Sequence, residues 1–318
     1  TTEIYTLSLH DALPILGQTN SLRADNIYIG RKKANGVLDF DVGLSGPSVT
    51  IRNRAGDGAA NLYIGYNDSG NTGTQPTSLV DLRGGTVDAQ LDNLRIGFHQ
   101  QGAGSGSGEL RMGAGTITAS NVFLAQVGAG STVATNTKAT ITMTGGVFTV
   151  YGDMVDTGRG TSTVNVDART MTVGGNFQVD TRRVGHDITN GTLTVTGGSV
   201  MYTNGSDLIG GRRTVNMTNN FTGTLDMSGA GEFRADVDEF LVGTISGTAG
   251  QAAGRARGIV RLAQTNVIDA NSIVIGDSLA AFLDGYSSRI ELGQTNAIAA
   301  TTVIGGGNKS HSATATLG

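Results

Sequence analysis

Three stretches of the 318-residue chain carry the same pattern: LGQTNSLRADNIYIG at residues 16–30, LAQTNVIDANSIVIG at 262–276 and LGQTNAIAATTVIGG at 292–306. Each stretch begins with a polar corner segment and continues into alternating apolar residues that are followed by glycine. The second and third stretches begin 30 residues apart, which indicates a tandem repeat of about that length. A repeat architecture is therefore the first hypothesis for the fold.

Degenerate copies of this unit recur along the rest of the chain. Each copy has an apolar anchor before its first corner; in most copies a second apolar residue lies two positions earlier, with a polar residue between them. Alternation with a period of two is typical of a β-strand with one buried face, whereas a helix would repeat every 3.6 residues. The anchors are Leu16, Ile51, Leu82, Met112, Met143, Val166, Val195, Met227, Leu262 and Leu292, and an eleventh copy begins at Leu317.

Two further short apolar segments follow each anchor, and the last of them usually ends in glycine. These terminal glycines are Gly30, Gly65, Gly97, Gly243 and Gly276. The first corner, directly after the anchor, is rich in Gly or Asn, as in GQTN, and both residues reach positive φ at little cost, as tight corners require. A variable polar loop follows the third segment. Three short strands, two corners and one longer loop predict one coil of an all-β, right-handed parallel β-solenoid. Ten such coils of about 30 residues would form a rod roughly 48 Å long. A β-propeller blade needs about 40 to 50 residues, and a β-sandwich does not explain the repeated units.

The composition agrees with a β-rich, turn-rich protein and excludes several classes. The chain has 50 Gly, 3 Pro and no Cys or Trp, which excludes collagen, a disulfide scaffold and thiolate chemistry. A net charge of −4 argues against a nucleic-acid partner. No apolar stretch has the length of a membrane span, so we expect no direct membrane span in this fragment.

The first fifteen residues, TTEIYTLSLHDALPI, break the pattern. They resemble the translation of a short-read sequencing adapter, codon by codon. They also lack the basic and apolar regions of a signal peptide. We therefore expect residues 1–15 to be an adapter-derived artefact, and residues 16–318 to be a single β-solenoid domain that is truncated at both ends.

The repeat motifs resemble those of large bacterial surface and secreted β-helix proteins, of the autotransporter-passenger and PEP-CTERM types. The motifs that carry the resemblance are the LGQTN units above and units such as GTLTVTGGSV at 191–200. The resemblance implies export, an extracellular or outer-surface location, and a structural or adhesive role. Polysaccharide, or a host or cell surface, is the predicted partner. Because the chain stops within a repeat at Gly318, we also expect neighbouring solenoid coils upstream and downstream in the full-length chain.

Motifs for catalysis or cofactor binding are missing from the sequence. It contains no phosphate-binding loop, no serine-nucleophile elbow and no zinc-protease motif, so we predict no catalytic, cofactor or metal residues.

Clusters of acidic and basic residues near the third strands are the remaining candidates. The acids would line a cation site or a polysaccharide cleft, and the bases would form a stripe for an anionic glycan. The simpler interpretation is that both sets are solvated corner residues that keep the rod soluble. The candidates are Asp180, Asp207, Asp236, Asp238, Arg182, Arg183, Arg212 and Arg213, and a further basic run comprises Arg31, Lys32 and Lys33.

Two functional hypotheses follow from the sequence. The first is a non-enzymatic surface rod that is structural or adhesive and presents variable loops along one edge. The second is a polysaccharide-active β-helix enzyme of the lyase or hydrolase type, or its glycan-binding module. An enzyme would need carboxylates that converge in a groove over adjacent coils.

Residues 16–318 expressed alone should self-associate or fray at both ends. Cutting a solenoid through its coils leaves strand edges unpaired and apolar rows exposed. Hydrogen exchange combined with size-exclusion chromatography measures both effects. Uniform protection from the first coil to the last, in a monomer, would contradict the expectation.

Overall fold

The computed structural model describes seventeen segments of the chain. They are residues 2–4, 8–9, 15–32, 34–68, 74–102, 104–131, 137–156, 161–166, 170–173, 177–179, 190–196, 199–203, 208–210, 221–243, 256–276, 288–305 and 313–316.

Strands account for nearly all of the regular structure. In chain order they are β1 (Thr2–Ile4), β2 (Ser8–Leu9), β3 (Ile15–Leu16), β4 (Thr19–Arg23), β5 (Asn26–Arg31), β6 (Val37–Phe40), β7 (Ser48–Arg52), β8 (Ala60–Asn67), β9 (Thr74–Gly102), β10 (Ser105–Ser131), β11 (Lys138–Met143), β12 (Val147–Val150), β13 (Met154–Asp156), β14 (Thr161–Val166), β15 (Thr170–Val173), β16 (Phe177–Val179), β17 (Asn190–Thr196), β18 (Ser199–Thr203), β19 (Leu208–Gly210), β20 (Phe221–Gly229), β21 (Glu232–Val242), β22 (Ala256–Arg261), β23 (Thr265–Ile275), β24 (Ser288–Glu291), β25 (Thr295–Gly305) and β26 (Ala313–Thr316).

The strands stack as a parallel β-solenoid of about six turns. Pairing joins strands of successive coils, for example β4 with β7 and β23 with β25, and these pairs run parallel. No helix occurs in the described segments. The prediction of an all-β parallel solenoid is confirmed, while the predicted count of ten coils is not confirmed by this number of turns.

One coil presents three strand segments to its neighbour. The long strand β9 pairs in turn with β6, β7 and β8, with Leu38 opposite Val80, Val49 opposite Val87 and Leu62 opposite Leu94. The corners between these segments are therefore tight enough for the ladder to continue almost without a break. The three segments enclose the apolar core.

The predicted alignment of the internal repeats is wrong in the second repeat, where it assigns the anchor to the wrong strand. It placed Ile51 in the same row as Leu82, but Val80 pairs with Leu38 in β6, and Ile51 pairs with Ala89. Both β6 and β7 alternate apolar and polar residues, so the period of two cannot distinguish the first face from the second. The corner that separates these strands decides the assignment.

Alternating residues of each strand fill the interior. Along one third-strand row, Ile27, Leu62, Leu94 and Val122 are all at most 2% exposed. The largest fully buried side chains include Phe148, Phe233 and Phe240. Because each row is buried only when a neighbouring coil covers it, the hydrophobic effect acts between coils as well as within them.

Glycines with positive φ form a corner directly after the third strand, where the sequence showed only that this strand usually ends in glycine. Gly30, Gly65, Gly97, Gly243 and Gly276 have φ between +64° and +72°. A Cβ at Gly65 would lie only 1.9 Å from the carbonyl oxygen of Ser107, which belongs to a following coil. The corner therefore requires glycine both for its backbone conformation and for close packing between coils.

The Gln-Thr-Asn segments form a second kind of corner. Asn20, Asn266 and Asn296 each donate a side-chain hydrogen bond of 2.7 Å to the carbonyl three residues earlier. Asn266 also donates to Oδ1 of Asn296 at 2.8 Å, which links two coils. The asparagine side chain thus provides a hydrogen bond to a corner carbonyl that lies outside the strands.

Two short strands lie within residues 1–15. Thr2 pairs with Asn20, and Ser8 pairs with Tyr28, so β1 and β2 extend the ladder of β4 and β5. Backbone pairing along an open strand edge requires no particular side chain. The proposed adapter origin of this segment therefore stays a prediction.

Replacing Gly65 with alanine should destabilise the protein more than the same change at Gly43. Both glycines have positive φ, but a Cβ at Gly43 meets no atom within 4 Å. Gly43→Ala should cost about 1 kcal/mol, and Gly65→Ala about 3 kcal/mol or more, because the second change also forces backbone atoms apart.

Urea denaturation of the two variants measures this difference. Equal losses would show that close approach of the coils at Gly65 does not matter.

Candidate functional site

Two of the eight predicted site residues fall in the described structure. Asp236 and Asp238 lie in β21, on its outward-facing positions, while Ala235 and Val237 point inward and are each 4% exposed. The other six lie outside the described residues; these are Asp180, Asp207, Arg182, Arg183, Arg212 and Arg213.

Pairing with the next coil brings a third carboxylate to these two. Asp236 of β21 lies opposite Asp269 of β23. Asn271 of β23 donates from Nδ2 to Oδ1 of Asp238 at 2.7 Å. The register of two neighbouring coils therefore assembles a small acidic surface from residues that lie more than 30 positions apart in the chain.

This acidic surface lines an open depression of about 340 Å³, together with Val237. All three carboxylates are exposed to solvent. A carboxylic acid with a catalytic role is usually buried, whereas these groups are exposed in the described structure. They are suited to accept hydrogen bonds from hydroxyl groups or to attract a hydrated cation.

A metal centre is not assembled by the described residues. They contain no group of three or more His, Cys, Asp or Glu side chains placed to hold an ion. The carboxylates of Asp236, Asp238 and Asp269 thus line a surface without converging on one point.

A network of paired charges runs along the first-strand face in the N-terminal half. Asp81 receives hydrogen bonds from Arg83 at 2.6 Å and from Arg111 of the next coil at 3.3 Å, and Arg111 also pairs with Glu109 at 2.6 Å. Burial raises the pKa of the Asp81 carboxyl, but the hydrogen bonds from Arg83 and Arg111 outweigh burial and hold that pKa below its ordinary value. These charges are used to hold neighbouring coils in register.

The same arrangement recurs in the C-terminal half over three successive coils. Arg261 pairs with Asp226 of the preceding coil at 2.6 Å and with Glu291 of the following coil at 3.0 Å. Burial raises the pKa of Asp226, but hydrogen bonds from Ser228 and Arg261 outweigh burial and lower it overall. Both networks occupy the polar positions between apolar anchors that the sequence identified.

Sequence reasoning missed an aromatic surface on the third-strand face. It comprises Tyr28, Tyr63, Tyr66, Phe98 and Phe123, with Arg31 and Arg95 among the rings. Tyr28 stacks on Tyr63 with centroids 4.6 Å apart, and Tyr66 stacks on Phe98 at 4.5 Å. The available signal was an aromatic residue between two buried aliphatic residues, as in Ile27-Tyr28-Ile29 and Leu62-Tyr63-Ile64.

Comparison with known proteins does not assign a family. No protein family, curated protein or solved structure matches the chain. In the part of the chain that the structure describes, no helix has the length and apolar character needed to cross a membrane.

Acid should weaken the fold through Asp81 and Asp226. Their pKa values are lower in the folded state than in the unfolded chain, so the stabilisation is present above about pH 4 and is lost as the pH falls through the folded-state values. Each carboxylate should contribute about 1 kcal/mol or less, because both groups remain partly solvated.

The free energy of unfolding, measured between pH 2 and pH 6, tests this expectation. A variant with Asp81→Asn and Asp226→Asn should lose less stability on acidification than the wild type. Asp41→Asn is the control, because Asp41 is exposed and forms no ion pair in the described structure. Identical acid dependence in all three proteins would contradict the role of the networks.

Proposed function

We propose that this protein is a structural or adhesive β-solenoid rod of a bacterial surface, that it is exported, and that it is not an enzyme. The observation that carries the proposal is that charged side chains on the outward faces form ion pairs between neighbouring coils. Arg111 and Arg261 join carboxylates of neighbouring coils, so these ionised groups stabilise the stack. Export and an extracellular or outer-surface location follow from the resemblance of the repeats. Variable loops along one edge follow from the differing loop lengths of the repeats.

The rod is proposed to contain ten right-handed coils of about 30 residues. Its support is the recurrence of the apolar anchor between Leu16 and Leu292, Ile51 excepted because it lies on the second-strand face, with an eleventh copy at Leu317. Right-handed crossover is the general rule for parallel strands in one sheet. Ten coils give a rod of about 48 Å and six give about 29 Å, a difference that electron microscopy of single particles resolves.

A polysaccharide-active protein is the second candidate, and one observation favours it. Asp236 and Asp269 face the same open depression from adjacent coils, next to the hydrogen-bonded pair Asp238 and Asn271. Carboxylates on adjacent coils are what such an enzyme would need. Their exposure favours a binding role over catalysis.

Incubation with acidic and neutral polysaccharides separates the two functions. The rod hypothesis predicts no release of reducing ends or of unsaturated products by the wild type. Activity that is lost in Asp238→Asn or Asp269→Asn, but kept in the exposed control Asp41→Asn, would establish the enzyme and overturn the rod.

A further inference from the structure

Aromatic residues are concentrated on one outward face of the solenoid. The chain has seven Tyr, nine Phe and no Trp, and five of these residues lie on the aromatic surface defined above. They come from successive coils, since Tyr28 pairs in register with Tyr63, and Tyr66 pairs with Phe98. All five are partly exposed. Clusters of Tyr, Phe and Arg at a surface are typical of binding sites.

Several ring faces of this surface are already covered by neighbouring rings and guanidinium groups. Tyr28 lies between Tyr63 on one side and the guanidinium of Arg31, 4.7 Å from the ring centroid. Arg95 lies over Phe123 at 4.6 Å. Few ring faces remain for the apolar side chains of a protein partner to stack on. Ring edges, phenol hydroxyls and guanidinium N–H groups are left to meet a ligand.

The phenol hydroxyls are available as hydrogen-bonding groups. In the described part of the chain, no hydrogen bond is donated by the hydroxyl of Tyr28, Tyr63 or Tyr66. Burial raises the pKa of Tyr63 and of Tyr66, so both hydroxyls stay protonated at neutral pH and can donate. Each can also accept. Such a row suits a ligand that is rich in hydroxyl groups.

Arg95 supplies a fixed positive charge beside this row. It donates one hydrogen bond of 2.8 Å to Oε1 of Gln126, and no carboxylate of the described residues lies within ion-pair distance of it. Arg31, by contrast, is neutralised by Asp68 at 2.6 Å. Exposed Lys32 adds a second positive charge at the corner, where its backbone N–H donates to the Tyr66 carbonyl. A guanidinium held by aromatic rings favours an oxyanion that accepts two parallel hydrogen bonds.

We propose that the aromatic surface binds a linear acidic polysaccharide, with Arg95 pairing with its carboxylate or sulfate groups and the tyrosine hydroxyls contacting its sugar hydroxyls. Neighbouring coils contribute residues to the surface at a spacing of about 4.8 Å along the rod, so a linear polymer can contact several coils at once. The inference rests on the proposed function as a surface rod and adds a ligand class and a location. It differs from the acidic depression near Asp238, which would repel such a polymer.

Binding of the full chain to immobilised polygalacturonate, dextran sulfate and neutral dextran tests the proposal. The wild type should bind polygalacturonate, dextran sulfate or both, and should not bind neutral dextran. The preferred polymer identifies the oxyanion. Arg95→Gln should weaken binding about tenfold, and Tyr63→Phe, which removes only a hydroxyl, about threefold.

Arg234→Gln is the matched control. It removes the same charge from the second-strand face, where Arg234 pairs with Glu232 at 2.6 Å, and should leave binding unchanged. Thermal unfolding of each variant shows whether a loss of binding reflects a loss of fold, and Tyr63→Phe keeps the test valid if Arg95→Gln is unstable.

Three outcomes would overturn the proposal: no binding to either anionic polymer, equal losses in Arg95→Gln and Arg234→Gln, or unchanged binding in both Arg95→Gln and Tyr63→Phe. If this face binds a protein instead of a polysaccharide, we expect the first outcome, no binding to either anionic polymer. Cleavage of polygalacturonate by the wild type would instead refute the non-enzymatic rod, while binding that depends on Arg95 would still support this surface.

Discussion

Stacking of one coil on the next is the interaction on which the rest of the structure depends. A single coil of about 30 residues has one row of apolar side chains per strand and cannot bury it alone. Parallel pairing places Leu62 against Leu94 and continues both the hydrogen-bond ladder and the apolar core. The strand edges, the corners and the outward charges all have to be compatible with the same short spacing between coils.

The corners and the outward faces meet this constraint by different means. At the third corner, positive φ at Gly65 brings its backbone against the carbonyl of Ser107, where a side chain would separate the coils. On the first-strand face, alternating charges such as Asp226, Arg261 and Glu291 make neighbouring coils attract each other. The third-strand face carries stacked rings instead. Because the inward residues form the core in the described coils, the outward residues can differ from one face to another.

The sequence predicted the solenoid because strand alternation is a local pattern. Alternation of apolar residues identifies a strand, and glycine marks the corner. The anchors Leu82, Met112 and Met143 were placed in one row, as their pairing shows, but Ile51 was placed on the wrong face because β6 and β7 share a pattern. Asp236 and Asp238, which the sequence named as candidates, line the acidic depression, but their neighbours Asp269 and Asn271 come from the next coil and were not named. The aromatic surface was missed because ring stacking is visible only once the register between coils is known.

Disulfide trapping of one register tests the stacked-coil account most directly, because the chain has no cysteine of its own. Gln90 and Thr118 face outward on neighbouring coils and lie opposite each other, whereas Thr116 is displaced by two residues. A double variant with Gln90→Cys and Thr118→Cys should form an intramolecular disulfide readily, since paired strands meet the required separation. The pair Gln90→Cys and Thr116→Cys should not. Efficient cross-linking of the displaced pair, with none in the aligned pair, would contradict the register and the solenoid built on it.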